Sequence, residues 1–385
     1  MKRYLCFVYP LLFLFIWVCS AFAFLPWFKT RDKIGCLVPL DGANQTIGLS
    51  VLKGLSLGIE ALNEDTSLSL YVYNTASDPF WACQQLERMV KEGCKVGVAL
   101  LGQKTMKAVI KKAQALHFPL IVMSSEDRIP LGDSVYLDFV TPRVQLENLV
   151  NFAIKNLGAS SFVVLYPQND YGYQYAFLFA HLVVQNGGKI QKMIGYPPHT
   201  TDFAPFIKRI IGFKVAEAKP EEMLLHPPQF PFDAVFIPDT PLTSTFIISQ
   251  FAYYNARNLI FLGTSLWAEE GFVQKVKDYC QAVYYPVGFT SMASQPWVES
   301  FVKEYKRTFK VLPNYLSAQA YEIGRILIYL AKVADLNMEK ASTYIQSFPG
   351  ITGITTFLPN GMIKKRIWII ESKKGEKTAF LAPEF

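Results

Sequence analysis

The sequence predicts an α/β protein of two lobes, each a mostly parallel sheet flanked by helices. Three observations carry that expectation. The chain has 385 residues, too many for one compact core. Short continuous apolar runs alternate with longer amphipathic ones, the signature of parallel strands covered by helices on both faces. The alternation then breaks off and begins again. Hydrophobic residues make up 51% of the chain and charged residues 18%, a globular composition with no disordered bias.

The first series opens with "IGCLVP" (34–39), a continuous apolar strand. Ile47, Val51, Leu55, Ile59 and Leu62 follow at helical spacing. "LSLYVY" (68–73) is the next strand. Asp78-Pro79 then opens a helix running through Glu92, with Asp78 as cap and Pro79 at the first helical position. "KVGVALL" (95–101) is a third strand, Thr105 to Leu116 a third helix and "FPLIVM" (118–123) a fourth strand. The second series starts at "SFVVLY" (161–166), followed by a helix from Tyr173 to Asn186 that Gly187-Gly188 ends. "DAVFIP" (233–238) and "NLIFLG" (258–263) are strands with helical Leu242 to Tyr254 between them.

Between the two series the chain is extended up to Thr141-Pro142, where a long helix begins; Pro142 keeps its predecessor out of the helical region. A second extended stretch is "AVYYPVGF" (282–289). These two crossings describe a chain that leaves one lobe, builds another and returns. "FLPNGMIKKRIWIIE" (357–371) is a hairpin turning at Asn360-Gly361. The stretch 216–230, with its prolines, breaks periodicity and is expected to be an inserted surface loop.

The N-terminus has the form of an export signal. Lys2 and Arg3 precede an apolar stretch from Leu5 to Cys19, and Ala21-Phe22-Ala23 offers small residues at the two peptidase positions. The stretch is shorter than the ~20 residues of a membrane anchor, so cleavage is expected after Ala23 and the mature protein in the periplasm. Net charge is +7; losing Lys2 and Arg3 leaves 7 − 2 = +5. The positive charge is dispersed, with no Lys/Arg run to track a phosphate backbone, which argues against nucleic acid as a partner. Cys36, Cys83, Cys94 and Cys280 remain after cleavage. Cys83 and Cys94 stand near opposite ends of a helix, about 16 Å apart at 1.5 Å per residue, beyond disulfide reach. The scattered His117, His181, His199 and His226 have no metal-ligand spacing. No cofactor is expected.

One catalytic pattern matches. Gly54-Leu55-Ser56-Leu57-Gly58 fits GxSxG, but a nucleophile elbow needs its serine on a sharp strand-to-helix turn. Here the motif lies inside a helical stripe. No phosphate-cradling glycine loop occurs, and no catalytic residue is assigned. The informative residues lie instead in the loops after each strand, where open α/β sheets bind ligands. These are Asp41; Gly102 through Thr105; Ser124 and Ser125; Asp170 and Tyr171; Asp239 and Thr240; and Thr264 through Trp267, including Ser265. Any one such loop is ordinary capping chemistry. Six of them on two lobes suit a small polar solute held in a cleft.

The chain resembles the type I periplasmic binding proteins of the leucine/isoleucine/valine-binding family over about Lys33 to Lys373. The resemblance rests on "KIGCLVPLDGANQTIGLSVLKGLSLGIEALN", "NDYGYQYA", "TTDFAPFIKRI", "DAVFIPD" and "FLGTSLW". It implies the two-lobed type I fold and hinged closure on an amino-acid-like solute for an ABC transporter permease. It also implies a first lobe of 33–140 plus 286–330 and a second of 143–281 plus 335–373. The hinge lies near 138–143, 282–288 and 331–336. Tyr171 would face the solute from the second lobe. Ile47 stands where the family carries an aromatic platform, Gly102 and Asp127 where it carries carboxylate-binding hydroxyls, and Ser265 where it carries an acid for the solute's ammonium. A second resemblance, through "DFVTPR", "NDYG", "FDAVFIPD" and "LGTSLW", is to the penicillin-binding-protein activators. It implies an alternative partner, a cell-wall synthase.

Overall fold

A computed structural model describes residues 31–60, 68–126, 129, 131, 134–212 and 229–384. The expected export signal, Asp127 and nearly all of the 216–230 insertion lie outside the described residues.

The first sheet holds β1 (Asp32–Val38), β2 (Leu68–Asn74), β3 (Cys94–Leu100), β4 (Leu120–Met123) and β5 (Val135–Leu137) in the order β2-β1-β3-β4-β5, all parallel. Helices α1 (Gln45–Glu60), α2 (Pro79–Lys91) and α3 (Gln103–Ala115) connect its first four strands. The central strands are buried almost end to end, because helices cover both faces and leave no polar side to alternate with. Asp78 caps α2 by accepting from the Trp81 amide at 2.7 Å.

The chain then runs through 138–141 into α4 (Pro142–Lys155), whose cap Thr141 accepts from the Val144 amide. The second sheet follows: β6 (Ser161–Pro167), α5 (Asp170–Gln185), β7 (Lys189–Tyr196), α6 (Ala204–Ile211), β8 (Ala234–Phe236), α7 (Pro241–Tyr253), β9 (Ile260–Leu262), short α8 (Phe272–Val276) and β10 (Ala282–Val287). After β10 come α9 (Pro296–Phe309) and α10 (Tyr315–Ala334), then α11 (Ala341–Tyr344). Strands β11 (Phe348–Pro349), β12 (Ile354–Phe357) and β13 (Ile363–Arg366) form a small antiparallel sheet. β14 (Trp368–Lys373) and β15 (Glu376–Leu381) complete the second sheet, in the order β15-β14-β10-β9-β8-β6-β7. Only β14 runs against the others, antiparallel to both its neighbours β10 and β15, so the sheet is mostly parallel, as expected. The expected hairpin turn forms between β12 and β13, with Gly361 at φ +80°, but residues 368–371 leave it to join the second sheet in β14.

One further detail differs from the sequence reading. Residues 331–336 do not leave the first lobe: Leu336, Met338, Ala341, Ile345, Phe357 and Ile363 all pack into the core cluster that holds Ile34, Val38 and Val98. The chain joins the second sheet only at Trp368. In the stretch 286–330, α9 leans on the first lobe's helices, with Phe301 packed on Tyr321 of α10 at 4.5 Å between ring centroids and Lys53 of α1 over the Phe309 ring, and α10 packs Ile323, Ile326 and Leu327 into the first core.

The GxSxG motif is a packing device. Gly54 and Gly58 face α10, and a Cβ there would come 2.0 Å from the Ser317 carbonyl oxygen and 2.4 Å from that of Tyr321. Two helix backbones can approach that closely only over glycine. Ser56 donates to the Lys53 carbonyl of its own helix, so the motif offers no nucleophile.

Candidate functional site

The first lobe's wall is built at the carboxyl ends of β1 to β4. Asn74, last residue of β2, accepts from the Leu40 amide and donates to Asp41 Oδ2 at 2.8 Å, which ties the loop after β1 to that after β2. Asn44 donates to Ser77 Oγ at 3.0 Å, and Thr105 Oγ1 donates to the Ser77 carbonyl at 3.4 Å. Gln103 reaches Glu126 at 3.4 Å and Ser124 Oγ accepts from the Glu126 amide, which joins the loops after β3 and β4. Ser125 is exposed. These ties frame a cavity of about 360 Å³ whose floor is Pro39, Ile47, Leu100 and Leu101 and whose rim includes Gly102, Lys104 and Thr105. Ile47 is 40% exposed, and Phe80 and Trp81 are exposed at the start of α2. Gly102 caps α3 with no side-chain hydrogen bond, so the first amides of that helix have no side-chain cap. Thr105 is buried, with its hydroxyl directed at Ser77.

The second lobe's wall sits at the carboxyl ends of β6, β8 and β9. Asn169 caps α5, accepting from the Gly172 amide at 2.7 Å. A Cβ on Gly172 would come 2.0 Å from the Pro167 carbonyl oxygen, so glycine lets the helix start tight against the end of β6. Asp170 is exposed beside it. Tyr171 donates to Thr264 Oγ1 at 2.8 Å and its ring lies 4.3 Å from that of Tyr175. Burial pushes its phenol up to about 12. Tyr196 donates to Asp239 Oδ2, and burial, with the Asp239 charge, holds that phenol far above its ordinary range. Asp239 Oδ1 accepts from the Thr240 amide at 2.6 Å. Thr240 in turn caps α7. The Ser265 amide donates to Gln145 of α4 at 3.3 Å.

Trp267, expected among the solute contacts, is fully buried. Its indole N–H donates to the Asp239 carbonyl at 3.2 Å and Ser244 Oγ at 3.0 Å, and its ring packs on Phe272. It is an internal post of the wall. The structure therefore gathers Asp41, Gly102, Thr105, Ser124 and Ser125 into one wall and Asp170, Tyr171, Asp239, Thr240 and Ser265 into another. Ile47, in the place of an aromatic, floors the first.

Sequence reasoning missed a polar cluster beneath the crossings. Lys365 of β13 donates to Glu322 at 2.9 Å and Gln319 at 3.1 Å of α10, and lies 3.4 Å from Asp138; all four side chains are buried. The signal was available: in "IKKRI" period-two alternation puts Lys365 on the inward face with Ile363 and Ile367. Among the described residues no group of His, Cys, Asp and Glu is arranged to hold a metal, and the four cysteines are free. Burial raises the Cys36 and Cys280 thiols to about 12, the inert condition of structural thiols. No described helix is long and apolar enough to cross a membrane.

Several solved structures share this architecture. A putative branched-chain amino acid ABC transporter protein from Rhodospirillum rubrum matches at 18% identity with a TM-score of 0.75, over 91% of this chain and all of its own. The substrate-binding protein LivJ of Streptococcus pneumoniae, in complex with isoleucine, matches at 19% identity and TM-score 0.57, over 91% of this chain and 99% of its own. A solute-binding protein from Rhodopseudomonas palustris, in complex with benzoate, matches at 18% identity and TM-score 0.56, over 91% and 96%. At these identities the likeness speaks for the fold alone. No curated protein sequence matches the chain. The model of the periplasmic binding protein family matches residues 33–377, and by that match the chain belongs to the periplasmic binding protein family.

Proposed function

We propose that the protein captures a small carboxylate with an apolar body, of the amino-acid type, between its two walls and hands it to an ABC transporter permease. The observation that carries the reading is the first-wall cavity. Its floor of Pro39, Ile47, Leu100 and Leu101 would take the apolar body, and Lys104 with the first amides of α3 would meet the carboxylate. Tyr171 would cover the solute from the second wall, with Asp170, Asp239, Thr240 and Ser265 around it, when the lobes close. Ser265 supplies no charge for an ammonium, so an ammonium is not demanded. Isoleucine and benzoate, the ligands of two structural neighbours, both have an apolar body and a carboxylate. Export after cleavage at Ala23 fits this reading and is checked by the mass of the mature N-terminus.

The competing partner is a cell-wall synthase. The observation that favours it is α7, which exposes Leu242, Phe246 and Tyr253, apolar surface suited to a protein contact. One experiment separates the two. Thermal-shift measurements on the mature chain with isoleucine, benzoate and related carboxylates should raise Tm with concentration, as binding to the native state requires. If none does, and a purified penicillin-binding protein binds instead, the transport reading is lost.

A further inference from the structure

The buried cluster beneath the crossings has more negative than positive charge. It holds two carboxylates, Asp138 and Glu322, and one ammonium, Lys365, all with fully buried side chains. Glu322 is fully engaged: Oε2 accepts from the Thr352 amide at 2.8 Å and its hydroxyl at 2.7 Å, and Oε1 accepts from Thr355 at 2.8 Å as well as from Lys365. Asp138 Oδ1 accepts from Gln319 at 2.8 Å. Its Oδ2 has no partner among the described residues. Taking an uncompensated charge out of water is costly, and a buried acid commonly answers by holding its proton.

The position of the cluster gives this chemistry a consequence. Asp138 is the first residue after β5, on the first crossing. Two residues on, the Val140 amide donates to Tyr315 Oη of α10 at 2.8 Å. Lys365 precedes the crossing that enters the second sheet at Trp368. Around it, Asn148 of α4 donates to the Lys365 carbonyl at 2.8 Å and accepts from the Ile367 amide at 3.0 Å. One cluster thus pins two crossings to one helix.

We propose that this cluster is a proton-linked pin under the hinge: Asp138 holds a proton while the crossings are clamped to α10, and losing it loosens them. The groups facing Asp138 are Lys365 from β13 and Gln319, Glu322 and Tyr315 from α10. Burial, the largest influence, raises the Asp138 carboxyl; Glu322 adds to the rise and Lys365 opposes it. The inference rests on the hinge-closing reading but needs no solute for its test.

The linkage has a definite sign. The folded state keeps a proton that the unfolded state has already lost, so stability falls as pH rises from the ordinary carboxylate range through the raised value. The experiment follows Tm and the small-angle scattering radius of gyration of the solute-free mature chain from pH 4 to 9, for wild type, Asp138→Asn and Glu322→Gln. In wild type, Tm should fall and the radius rise together across that window. Asp138→Asn should flatten both profiles and exceed wild type in Tm at the alkaline end. Glu322→Gln leaves one carboxylate for one ammonium and should move the wild-type transition to lower pH, which keeps the test decisive if Asp138→Asn folds poorly. Superimposable wild-type and Glu322→Gln transitions overturn the proposal. A radius that ignores the Tm transition overturns the hinge role.

Discussion

The two walls of the cleft use their polar groups in opposite ways. On the second wall they are spent on each other: Tyr171 on Thr264, Tyr196 on Asp239, Trp267 on Asp239 and Ser244, and the Ser265 amide on Gln145. On the first wall the hydrogen bonds tie loops together around an apolar floor, and Lys104 stands on the rim with the start of α3. A wall that has satisfied itself is rigid and can offer shape and a ring edge. A wall with an open cavity and unspent donors can choose what it binds. Under the proposed function, selectivity would belong to the first lobe and preorganisation to the second.

The largest expected effect comes from breaking the rigid side. Trp267 is the post of the second wall, fully buried between Phe272 and the Asp239 carbonyl. Trp267→Ala should cost about 3–5 kcal/mol, the ordinary range for losing a buried aromatic, read as a lowered denaturant midpoint. A loss within about 0.5 kcal/mol, typical of surface sites, would mean that the second wall is not preorganised by this residue.

Breaking the selective side should leave the fold alone. Ile47 is exposed and floors the cavity. Ile47→Lys should move stability by no more than about 0.5 kcal/mol while weakening the affinity for an apolar carboxylate by roughly tenfold or more, about 1.4 kcal/mol. Isothermal titration of the wild type and the Ile47→Lys variant checks it. Unchanged affinity would transfer selectivity away from this wall.

Much of this was legible in the sequence, and what was not has physical causes. The alternation of apolar and amphipathic runs located β1 to β4, β6, β8 and β9, because parallel strands covered on both faces are continuously apolar. Capping residues Asp78, Thr141 and Asn169 stand where local chemistry puts them. Edge strand β7 escaped notice because its burial is mixed, Lys189 and Lys192 facing solvent. Gly54 and Gly58 were legible as part of a helix face, but a regular pattern says nothing about which helix packs across it. Trp267 looked like a contact because a loop position does not reveal which way a ring turns. The alternation in "IKKRI" marks Lys365 as inward-facing, but the cluster joins Asp138 to residues more than 180 positions away, and no local pattern names those partners.

A smaller effect sharpens the role of Tyr171. Tyr171→Phe removes one hydrogen bond and should cost about 1 kcal/mol. It should also change the alkaline limb of stability. The folded phenol keeps its proton up to about 12, whereas an unfolded tyrosine loses it near ~10. The folded state therefore binds more protons between those values, and stability falls as pH rises through that window. The variant should lose part of that fall, as urea unfolding at pH 9 and pH 11 would register. Parallel dependence in both proteins would place the Tyr171 phenol in contact with solvent.

The smallest effect on affinity is expected at Asp239, and it tests the comparison most directly. An acid beside a cleft invites the idea that it pairs with a solute's ammonium. Here Oδ2 is taken by the Tyr196 hydroxyl and Oδ1 by the Thr240 amide. Asp239→Asn keeps one acceptor and loses the charge, so it should lower stability by about 1 kcal/mol, the worth of one hydrogen bond. Affinity for isoleucine and for benzoate should change equally, by less than about threefold, or ~0.7 kcal/mol. A solute ammonium held by this carboxylate would make the variant lose isoleucine selectively, because benzoate carries no ammonium. That selective loss would show that the second wall also chooses, and the division of labour between the lobes would have to be redrawn around Asp239.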